Sequence, residues 1–446
     1  MGSIQEIPEI DALGARRQLV RIPFELDVPL TPRVRRIIDT AEFRRLAQIS
    51  QLGLVSLVYP AANHTRFEHS LGVYYMSLLY LKQLAHDDLF ADAVSPADAE
   101  MLIAASLLHD LGHWPFCHPL EDIHLAGMSN HESFARNFIL GGEIAEILQN
   151  DWSIDPNNVV QLLSKKAETQ SQRILQSILS GPIDVDKMDY LARDSLHAGV
   201  PYGRNFDRQR LIGSLCLNKA SDGLAITEKG RTAAEMMVFA RYVMFSEVYW
   251  HHAVRSATAM LQRAFFLLHE QFDQNSLFQL TEQPFTQALM NAAGDDPTGQ
   301  LLSGLFGTRR MLYKRLAQFS FFQEPELYQK LSQRTYPWLV RCGESLAKLL
   351  SKQLSQTVAP HEVIFDAPPV EREVEFNVDV YYPKEKRFRR LGNVSPVVQT
   401  LALEQFDNFV KQVRVFVHPR LIDETKKLSD LTSLLNAAID AAHSSC

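Results

Sequence analysis

The feature that most constrains the fold is an apolar stretch that ends in residues typical of metal ligands, the segment SPADAEMLIAASLLHDLGHWPFCH. Its first residues, a serine, a proline and an acid, form the pattern of a helix start. Gly112 favours a helix end. The pattern predicts a mostly buried helix over Pro96–Asp110, which brings His109 and Asp110 to the point where the chain leaves the core. An imidazole and a carboxylate there are a donor pair suited to a divalent metal.

Two further segments carry donors of the same kind. The segment RFEHSLGVYYMSLLYL predicts an apolar helix with His69 near its start. In the segment GPIDVDKMDYLARDSLHAG, helical spacing places Asp186, Tyr190 and Asp194 along one face. The aspartates of this segment also suit a solvated acidic face, and the sequence alone leaves both interpretations open.

Two imidazoles and two carboxylates from these segments form one candidate metal site: His69, His109, Asp110 and Asp186. This mixture suits manganese, iron, zinc, nickel, cobalt or magnesium, and no neighbouring thiolate favours structural zinc. Imidazoles that remain for proton transfer near neutral pH are His113, His118 and His131. Cations that suit a polyphosphate are Arg66, Lys187 and Arg241. The set favours metal-assisted hydrolysis of a phosphate ester, because a bound ion activates water and neutralises phosphate oxygens. For Arg241, an internal salt bridge is an equal alternative.

The pattern of apolar residues predicts a mainly α-helical chain with a mixed end. Residues 1–30 are interrupted by prolines and predict an extended leader. Helical periodicity dominates residues 31–358 and predicts a helical core. Alternation over Val374–Tyr382 and Val413–Val417, with a helical patch between them, predicts a small α+β subdomain over 359–446.

Composition excludes several classes of function. The net charge of −7 argues against a broad nucleic-acid surface. No apolar run approaches the length of a membrane span, and the first residues lack the apolar region of a signal peptide. The four cysteines are scattered without a CxxC pair, which favours free thiols and a cytoplasmic location.

Four motifs in order, RFEHSLGV, HDLGHWPFCH, NHE and DVDKMDYLARD, strongly resemble the HD-domain phosphohydrolases, and within them the deoxynucleoside triphosphate (dNTP) triphosphohydrolases. The resemblance covers about residues 30–260. It implies an all-helical core that holds the metal through the four donors named above. The implied reaction converts a dNTP and water into a deoxynucleoside and inorganic triphosphate.

The resemblance also implies roles for individual residues. Those expected to act in catalysis are Asp110, His118 and His131, with His118 as proton donor to the leaving group. Those expected to contact substrate are Gln51, Leu52, Arg66, His113, Lys187, Tyr190, Asp194, Arg241, Tyr249 and His251. Among these, Gln51 and Asp194 would bond the 3′-hydroxyl. Leu52 and Tyr249 would crowd a 2′-hydroxyl, Tyr190 would pack against the sugar, and His251 would lie near the base.

The sequence departs from that branch at several positions. Arg44 and Ala47 replace residues that read guanine in the activator site of the vertebrate members, so a nucleotide activator stays an open expectation. Glu121 stands in place of an aspartate near the catalytic histidine, and Trp114 replaces a small residue. Two alternatives remain: an HD-domain hydrolase of a nucleoside monophosphate or modified nucleotide, and a nucleotide-binding regulator without catalysis. The resemblance implies a homo-oligomer, either a dimer or a tetramer.

Overall fold

A computed structural model shows a mainly helical chain, as the sequence predicts. The residues that it describes are 3–23, 26–368, 377–401 and 409–443. Residues 374–376 of the predicted strand, 402–408 of the predicted helical patch and Cys446 lie outside the described residues, as do four residues of the predicted leader. Cys117, Cys216 and Cys342 are free thiols. Within the described ranges, no helix is both long and apolar enough to cross a membrane.

The first half of the chain carries the helices around the predicted metal ligands. They are α1 (Pro8–Asp11), α2 (Pro32–Ile38), α3 (Ala41–Arg44), α4 (Arg66–Leu84), α5 (Asp88–Ala93), α6 (Pro96–Leu108), α7 (Cys117–Glu121), α8 (His131–Ile139), α9 (Gly142–Asp151), α10 (Pro156–Leu163), α11 (Gln170–Ser180) and α12 (Val185–His197). Helix α4 packs against both α6 and α12, which brings the three donor-bearing segments together.

The second half alternates helices with short strands. Its helices are α13 (Arg208–Ile212), α14 (Arg231–Met244), α15 (His252–Leu268), α16 (Gln274–Phe278), α17 (Glu282–Ala293), α18 (Pro297–Phe306), α19 (Pro325–Leu331), α20 (Tyr336–Gln353), α21 (Leu391–Val394), α22 (Pro396–Val398), α23 (Ile422–Thr425) and α24 (Leu431–His443). The strands of the whole chain are β1 (Leu19–Ile22), β2 (Leu26–Pro29), β3 (Leu215–Leu217), β4 (Leu224–Thr227), β5 (Lys314–Phe319), β6 (Val363–Asp366), β7 (Asp379–Tyr382), β8 (Arg387–Arg390) and β9 (Val413–Val417).

Helix α6 has the predicted start and the predicted burial. The Ser95 side chain accepts a hydrogen bond from the backbone of Asp98, whose carboxylate accepts one from the backbone of Ser95. Met101 to Leu108 are all buried. An apolar surface on every side belongs in the centre of a large core, so the polar residues that follow α6 emerge into an interior space rather than at the protein surface.

The sheets connect the end of the chain to the helical core. Strands β3, β4, β7 and β8 form one sheet, in which β4 pairs with β7 in parallel. Strands β5, β9 and β6 form another, in which β9 is antiparallel to both neighbours. Both of these sheets therefore contain strands from the two sides of residue 359, unlike the β1–β2 pair. The predicted subdomain boundary at this residue stays a prediction.

Several local elements differ from the sequence prediction. The segment predicted as an extended leader contains α1 and the β1–β2 hairpin, and Ile4, Ile7 and Ile10 are buried. Proline opens α1 at the first helical position, where it needs no hydrogen-bonding amide, so it starts this helix instead of preventing it. Within the part of the chain predicted as a helical core, Gly53–Leu57 forms a 3₁₀ helix instead of a regular α-helix. Helical periodicity also does not predict the π-helical turn at Phe245–Tyr249, which separates α14 from α15.

Gly112 is needed for close packing rather than for a left-handed turn. A Cβ atom at this position would lie 2.1 Å from the carbonyl oxygen of His131 and 2.5 Å from the amide nitrogen of Ala135. Both atoms belong to the backbone of α8, which cannot move aside as a flexible side chain does. The glycine therefore sets how closely the turn after α6 approaches α8.

We expect Gly112→Ala to lower the free energy of unfolding by about 1–3 kcal/mol, because overpacking forces the two backbones apart. Thermal unfolding followed by circular dichroism measures the change. Gly392→Ala is the matched control, since a Cβ there has no atom within 4 Å. Equal melting temperatures for the two variants would contradict this account of Gly112.

Candidate active site

Two imidazoles face each other at the centre of the helical core. The Nε2 atoms of His69 on α4 and His109 after α6 lie 3.3 Å apart. On the other side of each ring, Nδ1 of His69 lies 2.8 Å from a carboxylate oxygen of Asp189, and Nδ1 of His109 lies 2.9 Å from the carbonyl oxygen of Ser106. Because both partners only accept hydrogen bonds, each Nδ1 carries the hydrogen. The lone pairs of the two Nε2 atoms then point into the same space, where they repel each other unless a proton or a cation lies between them.

Two carboxylates complete the donor set around the same space. Oδ1 of Asp186 lies 3.0 Å from Nε2 of His69 and 4.0 Å from Nε2 of His109. Oδ1 of Asp110 lies 3.4 Å from Nε2 of His109. Ligands bound about 2.1 Å from an ion at right angles to each other are separated by about 3 Å. The donor atoms of His69, His109 and Asp110 all lie within 4.8 Å of one another and could hold one divalent cation, and Asp186 lies beside them against both imidazoles. The structure thus brings the four predicted metal ligands to one place.

The electrostatics of the four donors favour a cation. Burial lowers the pKa of His69, but its hydrogen bonds to Asp186 and Asp189 outweigh burial and raise it to about 10. Burial would raise the pKa of Asp110, yet the neighbouring imidazoles and the charge of Arg66 hold that pKa well below its ordinary value. The centre therefore keeps its carboxylates ionised and attracts positive charge.

Asp189 holds the predicted metal ligand His69 in place, and the sequence analysis did not single it out. Its carboxylate also accepts two hydrogen bonds from Arg193, both 2.7 Å long. Arg193 in turn donates to Glu68 at 2.6 Å. Asp189 lies three residues after Asp186 on α12, so helical spacing could have identified it as a second carboxylate facing α4.

Three further imidazoles cluster beside the metal centre. The ring of His113 lies 4.0 Å from the ring of His131 and 5.1 Å from that of His118, measured between centroids. Nδ1 of His131 lies 2.9 Å from the Glu121 carboxylate, and Nδ1 of His118 lies 3.6 Å from it. Burial, with the nearby charge of Arg66, holds the pKa of His113 well below its ordinary value, so this ring is neutral. His118 and His131 therefore remain for proton transfer, with Glu121 beside both.

A different set of polar groups lies around the C-terminal half of α12. One oxygen of Asp194 accepts a hydrogen bond of 2.6 Å from the Tyr249 hydroxyl, and the other lies 2.9 Å from Nε2 of His64. Burial raises the pKa of Tyr249 well above its ordinary value, so its hydroxyl stays protonated and donates. The buried Oε1 atom of Gln51 has no hydrogen-bond partner among the described residues. This end of the site can bind a hydroxyl group.

Comparison with known proteins now decides the family. Residues 66–194 match the model of the HD domain, and residues 206–440 match the model of the HD-associated region. The chain belongs to the HD-domain family. An uncharacterized protein of Methanocaldococcus jannaschii is 31% identical over 389 residues, which cover 86% of this chain and 76% of that protein.

Relatives with a named activity match a smaller part of the chain. The deoxynucleoside triphosphate triphosphohydrolase of Gallus gallus is 29% identical over 273 residues, which are 54% of this chain and 44% of that protein. A crystal structure of a hypothetical protein from Aquifex aeolicus has 28% identity and a TM-score of 0.71, and it covers 92% of this chain and 98% of its own. The resemblance stated from the motifs is confirmed at the level of the family, which makes the chain an HD-domain phosphohydrolase.

One cavity of about 580 Å³ joins the HD metal centre to the hydroxyl-binding end. The predicted site residues that line it are Gln51, Leu52, Arg66, His69, His109, Asp110, His113, His118, His131, Asp186, Tyr190, Asp194 and Tyr249. Asp186, Tyr190 and Asp194 lie on one face of α12, as their spacing indicates. This face is turned to the cavity and not to bulk solvent, which removes the alternative of a solvated acidic surface.

Three predicted substrate contacts do not line this cavity. Lys187 follows the metal ligand Asp186 and turns about 100° away around the helix, where its ammonium group lies 2.5 Å from Asp184. The guanidinium of Arg241 lies 5.4 Å from the Phe245 ring. His251 caps α15 and contacts the Tyr59 ring. The roles predicted for these three residues stay predictions.

Several cavity residues carry no recognisable signal in the sequence. Lys165, Trp250 and Arg255 line the cavity and lie outside the four motifs. Lys165 lies in the loop after α10 and pairs with Glu132 at 2.8 Å. Only the tertiary packing brings these side chains to the HD site.

We expect Asp189→Asn to weaken metal binding about 10- to 100-fold with all four direct ligands intact, because Asp189 fixes the tautomer and orientation of His69. Titration of metal-free protein with Mn²⁺, followed by calorimetry, measures the affinity. Asp92→Asn is the control, since Asp92 is exposed and far from the motifs. Unchanged affinity in a folded Asp189→Asn variant would show that this carboxylate does not support the centre.

Proposed function

We propose that the protein is a metal-dependent dNTP triphosphohydrolase that releases a deoxynucleoside and inorganic triphosphate. The observation that carries the proposal is the cavity itself. One end has four donors for a divalent ion, and the other end has the acceptor groups of Gln51 and Asp194 beside Tyr249. A phosphate ester of a hydroxylated sugar suits both ends at once. Its volume of about 580 Å³ is in the range of small-molecule sites.

Named relatives support the same activity. Besides the protein of Gallus gallus, a homologue from Dictyostelium discoideum is named a deoxynucleoside triphosphate triphosphohydrolase and is 28% identical over 238 residues. The matched part is 51% of this chain and only 45% of that protein. The activity of the whole relative therefore enters here as support for a proposal about this chain.

The metal would be held by His69, His109, Asp110 and Asp186. When bound, a divalent ion supplies an activated water and neutralises charge on phosphate oxygens. The chain supplies the orientation of that centre through Asp189 and Ser106, which fix the two imidazoles. Arg66 lies at the same place, with Nη1 2.8 Å from Asp110 and its buried Nε without a partner in the described part of the chain. It is the best placed of the predicted phosphate-binding cations.

Proton transfer to the departing 5′-oxygen is assigned to His118. Its side chain is 60% exposed, so it can turn towards a bound substrate, whereas His131 is held more tightly by Glu121. The oxygen of a water bonds to the α-phosphorus and the water loses a proton to solvent. The bond from phosphorus to the 5′-oxygen breaks, and His118 donates a proton to that oxygen. The Glu121 carboxylate lies near both imidazoles and can orient either of them. His131 is therefore the second candidate for the residue that protonates the 5′-oxygen.

The sugar would lie against Tyr190, Leu52 and Tyr249. Burial raises the pKa of Tyr190, so this phenol is neutral beside the ligand. Tyr249 is fixed by its short bond to Asp194, which gives the cavity a rigid wall where a 2′-hydroxyl would project. The proposal includes a homo-oligomer and a cytoplasmic location, and leaves a nucleotide activator open.

A second candidate is the hydrolysis of a nucleoside monophosphate or modified nucleotide. The observation that favours it is that Lys187 and Arg241, two of the three cations expected to bind a triphosphate, lie outside the cavity lining. A regulator without catalysis is the least favoured alternative, because the metal donors and the neighbouring imidazoles are all in place.

Product analysis tests the proposal directly. Protein loaded with Mn²⁺ is incubated with each dNTP and NTP separately, and the products are separated by ion-exchange chromatography. We expect deoxynucleoside and inorganic triphosphate, with little turnover of NTPs. Orthophosphate from monophosphates would favour the second candidate, and binding without any product would favour the regulator.

We expect His118→Ala to lower kcat about 10²- to 10⁴-fold while metal content is unchanged, because the variant lacks only the proton donor. Combined replacement of Asp110 and Asp186 by alanine should abolish both metal binding and turnover. His86→Ala, at an exposed position two residues after the end of α4, serves as the control for loss of an imidazole. Full activity of His118→Ala would refute its assignment and would leave His131 as the acid.

A further inference from the structure

His64 lies behind the cavity wall, and its side chain has a single polar contact among the described residues. The ring is buried, and Nε2 lies 2.9 Å from Oδ1 of Asp194. Nδ1 has no hydrogen-bond partner within the described ranges. An ionised carboxylate only accepts, so Nε2 carries the hydrogen and the imidazole acts as a donor to Asp194. Buried polar atoms in proteins are nearly always hydrogen-bonded, so an unpartnered Nδ1 needs an explanation. The bond that Nε2 makes to Asp194 is a reason for a histidine at this position.

Asp194 is thereby held from two sides. His64 donates to Oδ1, and the Tyr249 hydroxyl donates to Oδ2 at 2.6 Å. Two donors on separate oxygens fix the plane of the carboxylate, while each oxygen keeps a lone pair that can accept from a ligand. Asp194 lines the cavity, so a ligand group placed there must be a hydrogen-bond donor.

The orientation of His64 is itself fixed by two independent features. Its ring stacks on that of His197, with centroids 4.3 Å apart and planes 15° from parallel. Nε2 of His197 lies 3.0 Å from Glu68, which also binds Arg193. The arginine holds Asp189, and Asp189 holds the metal ligand, so one continuous network joins the metal centre to His64.

The backbone of His64 positions the neighbouring polar group of the cavity. Its carbonyl oxygen accepts a hydrogen bond of 2.9 Å from the amide of Gln51. An isolated β-bridge between Ser50 and Thr65 holds the same two segments of the chain beside each other. Gln51, whose Oε1 atom is buried without a partner in the described part of the chain, is thereby placed on the same wall as Asp194.

We propose that His64 is a positioning residue that fixes the Asp194 carboxylate as the acceptor for a sugar hydroxyl, and so sets the discrimination between nucleotides with and without a 3′-hydroxyl. This inference rests on the proposed function. Tyr249 acts on the same carboxylate from its other oxygen. A site built to bond a hydroxyl rejects an analogue that lacks it, because its buried polar groups then stay unpaired.

The test compares a dNTP with the matching 2′,3′-dideoxynucleotide on the full chain loaded with Mn²⁺. For the unaltered protein, we expect kcat/KM to favour the dNTP on the order of 10²-fold or more. His64→Phe keeps a flat ring against His197 but removes the donor. We expect the ratio to fall at least about tenfold, through the dNTP alone, with metal content unchanged. His64→Gln, which restores an amide donor, should recover most of the ratio.

Each possible result has a distinct meaning. Equal loss on both substrates in His64→Phe, with the ratio unchanged, would overturn the inference and leave His64 a purely structural residue. If His64→Phe does not fold, Tyr249→Phe removes the other donor to Asp194 and should lower the same ratio, and an unchanged ratio there would also overturn the inference. Absence of triphosphate release by the unaltered protein would instead overturn the proposed function itself. His86→Phe controls for a ring substitution outside the site.

Discussion

The rest of the site depends on the hydrogen bond between Asp189 and His69. It joins α12 to α4 in the core and turns the His69 lone pair towards the other metal donors. The same carboxylate binds Arg193 in a two-point contact, so a buried negative charge and a buried positive charge neutralise each other. Loss of either partner would leave an uncompensated charge in the core, which is among the most destabilising changes a protein interior can undergo.

The ion pair between Asp189 and Arg193 lies directly against α4, so α4 cannot have a side chain at the point of contact. A Cβ at Gly72 on α4 would lie 2.0 Å from Oδ1 of Asp189 and 2.4 Å from Nη2 of Arg193. Gly72 is one turn after His69, so the glycine makes room for the ion pair that orients the metal ligand. Close packing and metal geometry are thus two consequences of the same approach of α4 and α12.

Residues with a regular spacing could be predicted from the sequence, and residues joined only by tertiary packing could not. The start of α6, the shared face of Asp186, Tyr190 and Asp194, and the helical class of the fold all follow from local periodicity and capping. The π-helical turn before Trp250, by contrast, has no signature in the apolar pattern, although Phe245 and Tyr249 of this turn line the cavity. Lys187 shows the limit of motif reasoning, because its place beside Asp186 in sequence puts it on a different face of the helix.

Helix α12 determines which ligands the two ends of the cavity can bind together. Asp186 and Asp194 are eight residues apart on one face, which separates their Cα atoms by about 12 Å along the axis. A ligand that contacts both ends needs an anionic group at one end and a hydroxyl donor at the other. The distance between these two groups equals the separation of the two Cα atoms minus the length by which the two carboxylate side chains extend towards the ligand. Because a helix is stiff, this distance does not adapt to the ligand. A phosphate ester whose hydroxyl lies closer to its phosphate than this distance would therefore bind at one end of the cavity only. The binding energy of the other end would then not contribute to catalysis.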